Sequence, residues 1–135
     1  MSENVSEARP VGRIENIRVV APAEIRAEAE KRKQAGWRLV TLSCTELDAE
    51  TLDIIYHFDQ DLRLEHLRVN YPKATPLPSI SGVYFAALLV ENEIQDHFGV
   101  SFEGLVVDYG KTLLLDQEVQ RTPFCKYNVA TKVEK

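Results

Sequence analysis

The chain has 135 residues, a formal net charge of −5 and a pI near 5.2. This length allows one domain with an adequate core, without support from metals or disulfides. The acidic balance argues against a nucleic-acid-binding surface, which needs clustered Lys and Arg. The longest uninterrupted apolar run, residues 83–90, is too short to cross a bilayer. The sequence therefore predicts no nucleic-acid partner and no direct membrane span.

The two cysteines, Cys44 and Cys125, are far apart in the sequence. They cannot form a four-thiolate iron–sulfur site, and the chain has no C-x-x-C pair for zinc or redox exchange. The sequence therefore predicts that this chain binds no cofactor and that any electron carrier belongs to a partner. We interpret both thiols as ordinary small apolar side chains in a reducing compartment.

The first third of the chain predicts a strand, a helix and a second strand. Residues 1–12 have few large apolar groups and are predicted to form a flexible tail, followed by one domain over 13–115. A strand is expected over 13–20, a helix from Pro22 to about residue 35, a stop at Gly36, and a strand over 37–44. The basic residues 31–33 favour a solvated helix face, with cations at the negative helix end, over a nucleic-acid or membrane site.

Residues 51–58 and 62–69 predict two strands joined by a tight turn at 59–61. The apolar residues of the first strand alternate, so one face of the sheet should be buried. In the returning strand, Leu62 and Leu64 are out of phase with Leu67 and Val69, which indicates a bulge or a two-sided environment. The alternating residues of the first strand are Leu52, Ile54, Tyr56 and Phe58.

Two histidines, His57 and His66, fall on these paired strands. Histidines across a hairpin could bind a metal, but no third ligand has a plausible spacing. We therefore prefer an ordinary structural role for both.

Three prolines over residues 72–78 predict a rigid, extended connection into a second helix. Ser79 or Ser81 is the expected N-cap, and Gly99 is the expected left-handed stop. Three- and four-residue spacing predicts a buried stripe that consists of Val83, Ala87, Val90, Ile94 and Phe98.

The second half of this helix carries Glu91, Glu93 and Asp96, close to the negative end of the helix dipole. Each carboxylate is disfavoured there by about 0.3–1 kcal/mol unless a cation compensates it. No Lys or Arg occurs from residue 74 to 110. The compensating charge is expected from Arg63 or Arg68, from bulk salt, or from a basic surface on another protein.

The order of the predicted elements is strand, helix, three strands, helix and tail. It predicts an α+β two-layer sandwich, in which two helices cover one face of a largely antiparallel sheet, with an extended C-terminal tail over 116–135. Fold alone does not decide activity. Glu93 and His97 are four residues apart and could share in acid–base chemistry, but no nucleophile motif, phosphate loop or metal pair accompanies them.

The segment after the prolines resembles a known family. Glu91-Asn92-Glu93-Ile94-Gln95-Asp96-His97-Phe98-Gly99-Val100, followed by Phe102 and Gly104, is similar to the E-R-E-x-x-D-x-F-G-[IV]-x-F-x-G signature of the C-type subunit of NADH–quinone oxidoreductase. Pro78-Ser79-Ile80 resembles the P-S-[IV] that precedes the family's helix, and the likeness extends back to about Trp37. The short length resembles the form found in energy-converting, membrane-bound nickel–iron hydrogenases.

The chain departs from the family's usual residues at several positions. Asn92 stands where the family usually has Arg, Leu89 where it often has Trp, and Leu105-Val106 where it usually has His-Pro. These departures separate the chain from the mainstream respiratory subunit.

The resemblance implies a non-catalytic peripheral subunit that supports assembly and electron transfer in a redox complex. The implied partners are a hydrogenase-like large subunit, a small iron–sulfur subunit and membrane subunits, and iron–sulfur clusters or a nickel–iron centre would belong to them. The implied location is cytoplasmic, at the inner face of the cell membrane. Interface candidates are Glu91, Glu93, Asp96, Phe98 and Phe102, and structural candidates are Pro78, Gly99 and Gly104. A free-standing ligand-binding or regulatory module is the alternative.

Overall fold

The structure is a computed structural model that describes residues 14–116. The predicted tail over 1–12 lies outside the described residues, as does the tail over 116–135 apart from Asp116. The extent of the domain therefore stays a prediction. In chain order the elements are β1 (Ile17–Val19), a 3-10 turn (Pro22–Glu24), α1 (Ile25–Gln34), β2 (Arg38–Glu46), β3 (Thr51–Gln60), β4 (Arg63–Pro72), β5 (Leu77–Pro78), α2 (Ala87–Phe98) and β6 (Phe102–Glu103).

Four strands form the main sheet in the order β1-β4-β3-β2. Strands β2, β3 and β4 are antiparallel neighbours, and β1 pairs in parallel with β4. The short strands β5 and β6 form a separate parallel pair. Both helices contribute to one buried cluster with one face of the main sheet. The predicted α+β fold with a largely antiparallel sheet is confirmed.

The alternation of apolar residues along β3 sets the buried face. Leu52, Ile54, Tyr56 and Phe58 have no exposed surface, as the sequence predicts. Their neighbours on β4, with Ile25 of α1 and Ile94 of α2, complete the same cluster. Removing these side chains from water stabilises the sandwich.

Of the two alternatives predicted for β4, a bulge or a two-sided environment, the bulge is wrong. Pairing between β3 and β4 runs without a shift from Thr51 opposite Pro72 to Gln60 opposite Arg63. Leu62 lies in the turn and Leu64 on the face away from the core, and both are exposed. The register shift of the sheet lies in β2 instead, between Leu39 and Thr41.

Helix α1 begins after Pro22 and ends before Gly36, which has a φ of 85°. Two of its basic residues are not simply solvated. Arg32 pairs with Glu28 at 2.9 Å, and its guanidinium lies 5.4 Å from the ring centre of Phe58. The Lys33 ammonium donates to the carbonyl of Val83 at 2.5 Å. These cations hold α1 against the rest of the chain.

Helix α2 is shorter than predicted because it begins at Ala87, after a series of turns. Its N-cap is Ala86, without a side-chain hydrogen bond, so the predicted Ser79 or Ser81 cap is wrong. Gly99 ends the helix with a φ of 71°, as predicted. Within the described residues, no helix is both long enough and apolar enough to span a membrane.

Candidate interaction site around the acidic motif

The carboxylate of Glu91 lies inside the chain, with no exposed surface. It accepts hydrogen bonds from the Ile80 N–H at 2.8 Å and from the Ser79 hydroxyl at 2.5 Å. The hydroxyl oxygens of Ser79 and Ser81 are 2.7 Å apart, and Ser81 Oγ accepts from the Val106 N–H at 3.0 Å. The two serines therefore link Glu91 to the segment after β6 and do not cap α2.

Burial raises the pKa of Glu91 from 4.5 to about 7. Desolvation is the main cause because it disfavours the charged carboxylate. The hydrogen bonds from Ser79 and Ile80 and the charge of Arg26 oppose it only in part. Glu91 is thus a buried titratable group near neutral pH.

Asp96 is also fully buried, in the last turn of α2. Its Oδ2 accepts from the backbone N–H of Leu114 at 2.6 Å and of Leu115 at 3.2 Å, and its Oδ1 receives a longer contact of 3.4 Å from the Leu113 N–H. Backbone N–H groups are effective partners for a buried carboxylate. Asp96 therefore holds the segment over 113–115 against the helix.

Two buried amides between these acids complete the same face of α2. Asn92 donates from Nδ2 to the Val107 carbonyl and accepts at Oδ1 from the Tyr109 N–H, both at 2.9 Å. Gln95 donates to Asp108 at 3.0 Å and accepts from the Phe102 N–H at 2.8 Å. The sequence predicted no role for Asn92 and Gln95. The signal available in the sequence was their position: they lie three residues apart on the helix, between Glu91 and Asp96, which have no Lys or Arg nearby in the sequence.

The predicted interface residues are divided between the interior and the surface. Glu91, Asp96 and Phe102 are buried inside the chain, whereas Glu93 is exposed and Phe98 is half-buried. Hydrogen-bond donors of this chain contact the carboxylates of Glu91 and Asp96, and the cation that acts on Glu91 is Arg26, in place of the expected Arg63 or Arg68. An interface role stays a prediction, and only Glu93 and Phe98 of this set are accessible for it.

The two arginines that were predicted to compensate the charge of the acidic motif do not contact its carboxylates. Arg68 does not bind the motif, because its guanidinium donates to the Asp53 carboxylate at 2.9–3.1 Å across the sheet. Arg63 lies exposed at the β3–β4 turn. Neither arginine therefore provides the contact expected from the sequence.

Glu93 and His97 border a cavity between β2 and α2. His97 Nε2 lies 3.7 Å from Glu93 Oε1, and the volume of the cavity is about 350 Å³. The other lining residues include Leu42, Cys44 and Phe98. The described residues contain no group of three or more His, Cys, Asp or Glu side chains arranged to hold a metal.

The histidine pair on the sheet forms a local hydrogen-bonded chain. His57 Nδ1 and His66 Nδ1 are 2.7 Å apart, and Ser43 Oγ lies 2.7 Å from His57 Nε2. Desolvation lowers the pKa of both histidines, and for His57 the neighbouring His66 lowers it further. These contacts agree with the structural interpretation of the pair.

The three structural candidates shape the chain around α2. Pro78 belongs to β5 and pairs with Glu103 of β6. Gly99 takes the left-handed conformation at the end of α2, where its N–H donates to the Gln95 carbonyl at 3.0 Å. Gly104 has a φ of 83°, and a Cβ there would lie 2.8 Å from Arg26 Nη2. Both glycines therefore occupy conformations that disfavour other residues.

Comparison with known families identifies the chain. Residues 18–133 match the family described as respiratory-chain NADH dehydrogenase, 30 kDa subunit. The chain belongs to this family. The match confirms the resemblance to the C-type subunit of NADH–quinone oxidoreductase that the motif carries.

The 30 kDa subunit fold of this chain also has a solved neighbour. One chain of a structure entitled "Structure of the membrane-bound sulfane sulfur reductase (MBS), an archaeal respiratory membrane complex" is similar with a TM-score of 0.66 and 21% identity. The similarity covers 76% of this chain and 64% of that chain, so this chain spans less than two thirds of its neighbour's length. At this identity the likeness shows the shared fold. A comparison with curated proteins finds no match.

In this member of the 30 kDa subunit family, the signature acids Glu91 and Asp96 organise the chain internally. They connect α2 to the turns before it and to the segment after β6. The exposed surface near the signature is consequently formed by other residues.

Proposed function

We propose that this chain is a non-catalytic peripheral subunit of a membrane-bound redox complex of the nickel–iron hydrogenase or NADH–quinone oxidoreductase type. It docks on the large catalytic subunit and the small iron–sulfur subunit, at the inner face of the cell membrane, and supports assembly and electron transfer. The observation that carries the proposal is the family match over residues 18–133. The shared fold with a chain of an archaeal respiratory membrane complex supports the same context.

In this proposal the electron carriers belong to the partners. The two cysteines of the chain cannot supply the four thiolates of a usual iron–sulfur cluster. The iron–sulfur clusters, and a nickel–iron centre in the hydrogenase type, are therefore assigned to the neighbouring subunits. This chain contributes contacts that position those subunits, and complementary charges help to fix their register.

Gentle affinity purification of the tagged chain from its native membranes tests the proposal. We expect mass spectrometry to find a hydrogenase-like large subunit, a small iron–sulfur subunit and membrane subunits with the bait. The identity of the large subunit and of the membrane subunits separates the hydrogenase type from the quinone-reductase type. Recovery of the chain alone in mild detergent would contradict the proposal and favour a free-standing module.

A further inference from the structure

Six large apolar side chains are exposed on α2, on the turn before it and on the segment after β6. Their exposed fractions range from 41% to 69%. An exposed apolar patch of this kind typically marks an interaction site. We call this surface the apolar platform, and it consists of Phe85, Leu89, Val106, Val107, Tyr109 and Leu114.

Hydrogen bonds hold the backbone of the segment after β6 against α2. Phe85 lies in the turn before α2, four residues before Leu89, and Asn92 and Asp96 follow Leu89 at helical spacing. Asn92 holds the backbone of Val107 and Tyr109 at 2.9 Å, and Asp96 holds the Leu114 N–H at 2.6 Å. The helix and the following segment therefore contribute neighbouring parts of one surface.

The apolar platform is held in place before any partner binds. Most of its segment after β6 has no regular secondary structure, yet buried polar side chains hold it at several points. Ser81 holds the Val106 N–H, and Gln95 holds the Asp108 carboxylate. Preorganisation of this kind lowers the entropic cost of association.

The charged residues at the border of the apolar platform indicate which kind of molecule can bind there. Within the described part of the chain, four exposed acids lie on or beside the apolar platform, whereas the cations at its edge are Arg26 and Lys111. A second copy docked through the same surface would face these acids with its own. An anionic membrane would also be repelled, whereas Lys or Arg on a partner protein would be attracted. The four acids are Glu93, Glu103, Asp108 and Asp116.

We propose that the apolar platform docks a different protein subunit, whose contact surface is apolar at its centre and carries Lys or Arg at its border. This inference rests on the proposed function because it names the surface through which the subunit would join its complex. It assigns the contact to residues that are exposed, and not to the buried acids of the signature.

Native purification with platform variants tests this inference. The bait is the full chain, either unchanged or with Phe85→Ser and Leu89→Ser together. The matched control carries Leu62→Ser and Leu64→Ser, which remove two exposed apolar side chains at the β3–β4 turn. We expect the platform variant to retain at least about tenfold less of the large and iron–sulfur subunits, as when central contacts of an interface are lost. The control should retain the unchanged amount.

A second pair of variants tests the charge of the partner. Glu93→Lys with Glu103→Lys should lower the retention of partner subunits. Retention by the unchanged chain should fall as the salt concentration rises, because ions screen complementary charges at an interface, and the variant should show a smaller fall. Glu24→Lys with Glu30→Lys makes the same change on α1 and the turn before it, and is the control. Thermal unfolding followed by the fluorescence of Trp37 verifies that every bait is folded.

The outcomes separate this inference from the proposed function. Equal retention by the unchanged chain and the folded platform variant would overturn the docking surface and leave the proposed function intact. Recovery of the unchanged chain alone would overturn both. A homodimer that the platform variant loses would place a second copy on this surface. Binding to phosphatidylglycerol vesicles that the same variant loses would place a bilayer there, and either result would overturn the inference.

Discussion

Replacing Glu91 with Gln tests whether a buried carboxyl makes the stability of this chain depend on pH near neutrality. Burial raises its pKa from 4.5 to about 7 in the folded chain. Between these two values the folded state holds a proton that the unfolded state has released. The unfolding free energy contributed by this group therefore falls as pH rises through this window, and it levels off well below 4.5 and well above 7.

The magnitude follows from the size of the pKa change. At 1.36 kcal/mol per pKa unit, the whole window corresponds to roughly 3 kcal/mol, and the part between pH 5 and 8.5 to about 2–3 kcal/mol. Gln cannot ionise, but its side chain can accept from Ile80 and donate toward Ser79. We expect the unfolding free energy of the unchanged chain, minus that of Glu91→Gln, to fall by this amount from pH 5 to 8.5.

Urea unfolding followed by Trp37 fluorescence measures both free energies at each pH. The free energy of one protein is subtracted from that of the other because His57 and His66 change the unfolding free energy with pH in the direction opposite to Glu91. Their pKa values are lowered, so their contribution to stability rises with pH up to about 6.5, the ordinary histidine value, in both proteins. Glu93→Gln controls for the loss of one negative charge on the same helix. A Glu91 difference that is level or rises with pH would refute the burial argument.

Three further changes test the contacts around α2 and in the core, each by the unfolding free energy. Gly99→Ala should destabilise the chain by about 1–2 kcal/mol because φ is 71° there, whereas Gly82→Ala, where an added Cβ meets nothing within 4 Å, should have little effect; equal effects would contradict the helix-end assignment. Asp96→Ala should cost about 2–4 kcal/mol by leaving three partly buried N–H groups without their acceptor, and a loss below about 1 kcal/mol would contradict this role. Tyr56→Phe or Tyr71→Phe should each cost about 1–2 kcal/mol by breaking a 2.8 Å hydroxyl pair, and the double change should cost less than the sum; strict additivity would show that the two hydroxyls are not coupled.

The parts of the fold that the sequence predicts well depend on local periodicity. Strand β3 was predictable because Leu52, Ile54, Tyr56 and Phe58 alternate, and that pattern alone determines which face is buried. The end of α2 was predictable because Gly is favoured in the left-handed conformation. These features depend on interactions within a few residues.

The features that the sequence did not predict depend on contacts between distant residues. Ser79 has the chemistry of an N-cap, but Glu91, twelve positions later, binds its hydroxyl. The phase change at Leu62 and Leu64 suggests a bulge or a two-sided environment, and it marks side chains that are exposed at the turn and on the outer face of β4. The real shift near Thr41 has no local glycine or proline to indicate it.

The acidic signature is another case in which the residue types can be read from the sequence but their surroundings in the fold cannot. The absence of nearby Lys and Arg is a sequence fact, and it favours a partner as the source of compensating charge. Backbone N–H groups provide the compensation for Asp96, and no sequence pattern identifies which N–H groups will converge on a given side chain. Long-range convergence of this kind is a property of the folded chain.

This arrangement separates two ways in which a substitution can weaken assembly. Asp96→Ala would release the segment that presents Leu114, so it should lower both the melting temperature and the retention of partner subunits. Leu89→Ser changes a side chain that is 57% exposed, so it should lower retention while leaving the melting temperature nearly unchanged. Loss of assembly caused by a change in the buried signature would therefore not identify that residue as a contact. Only loss of retention in a chain of unchanged stability would do so.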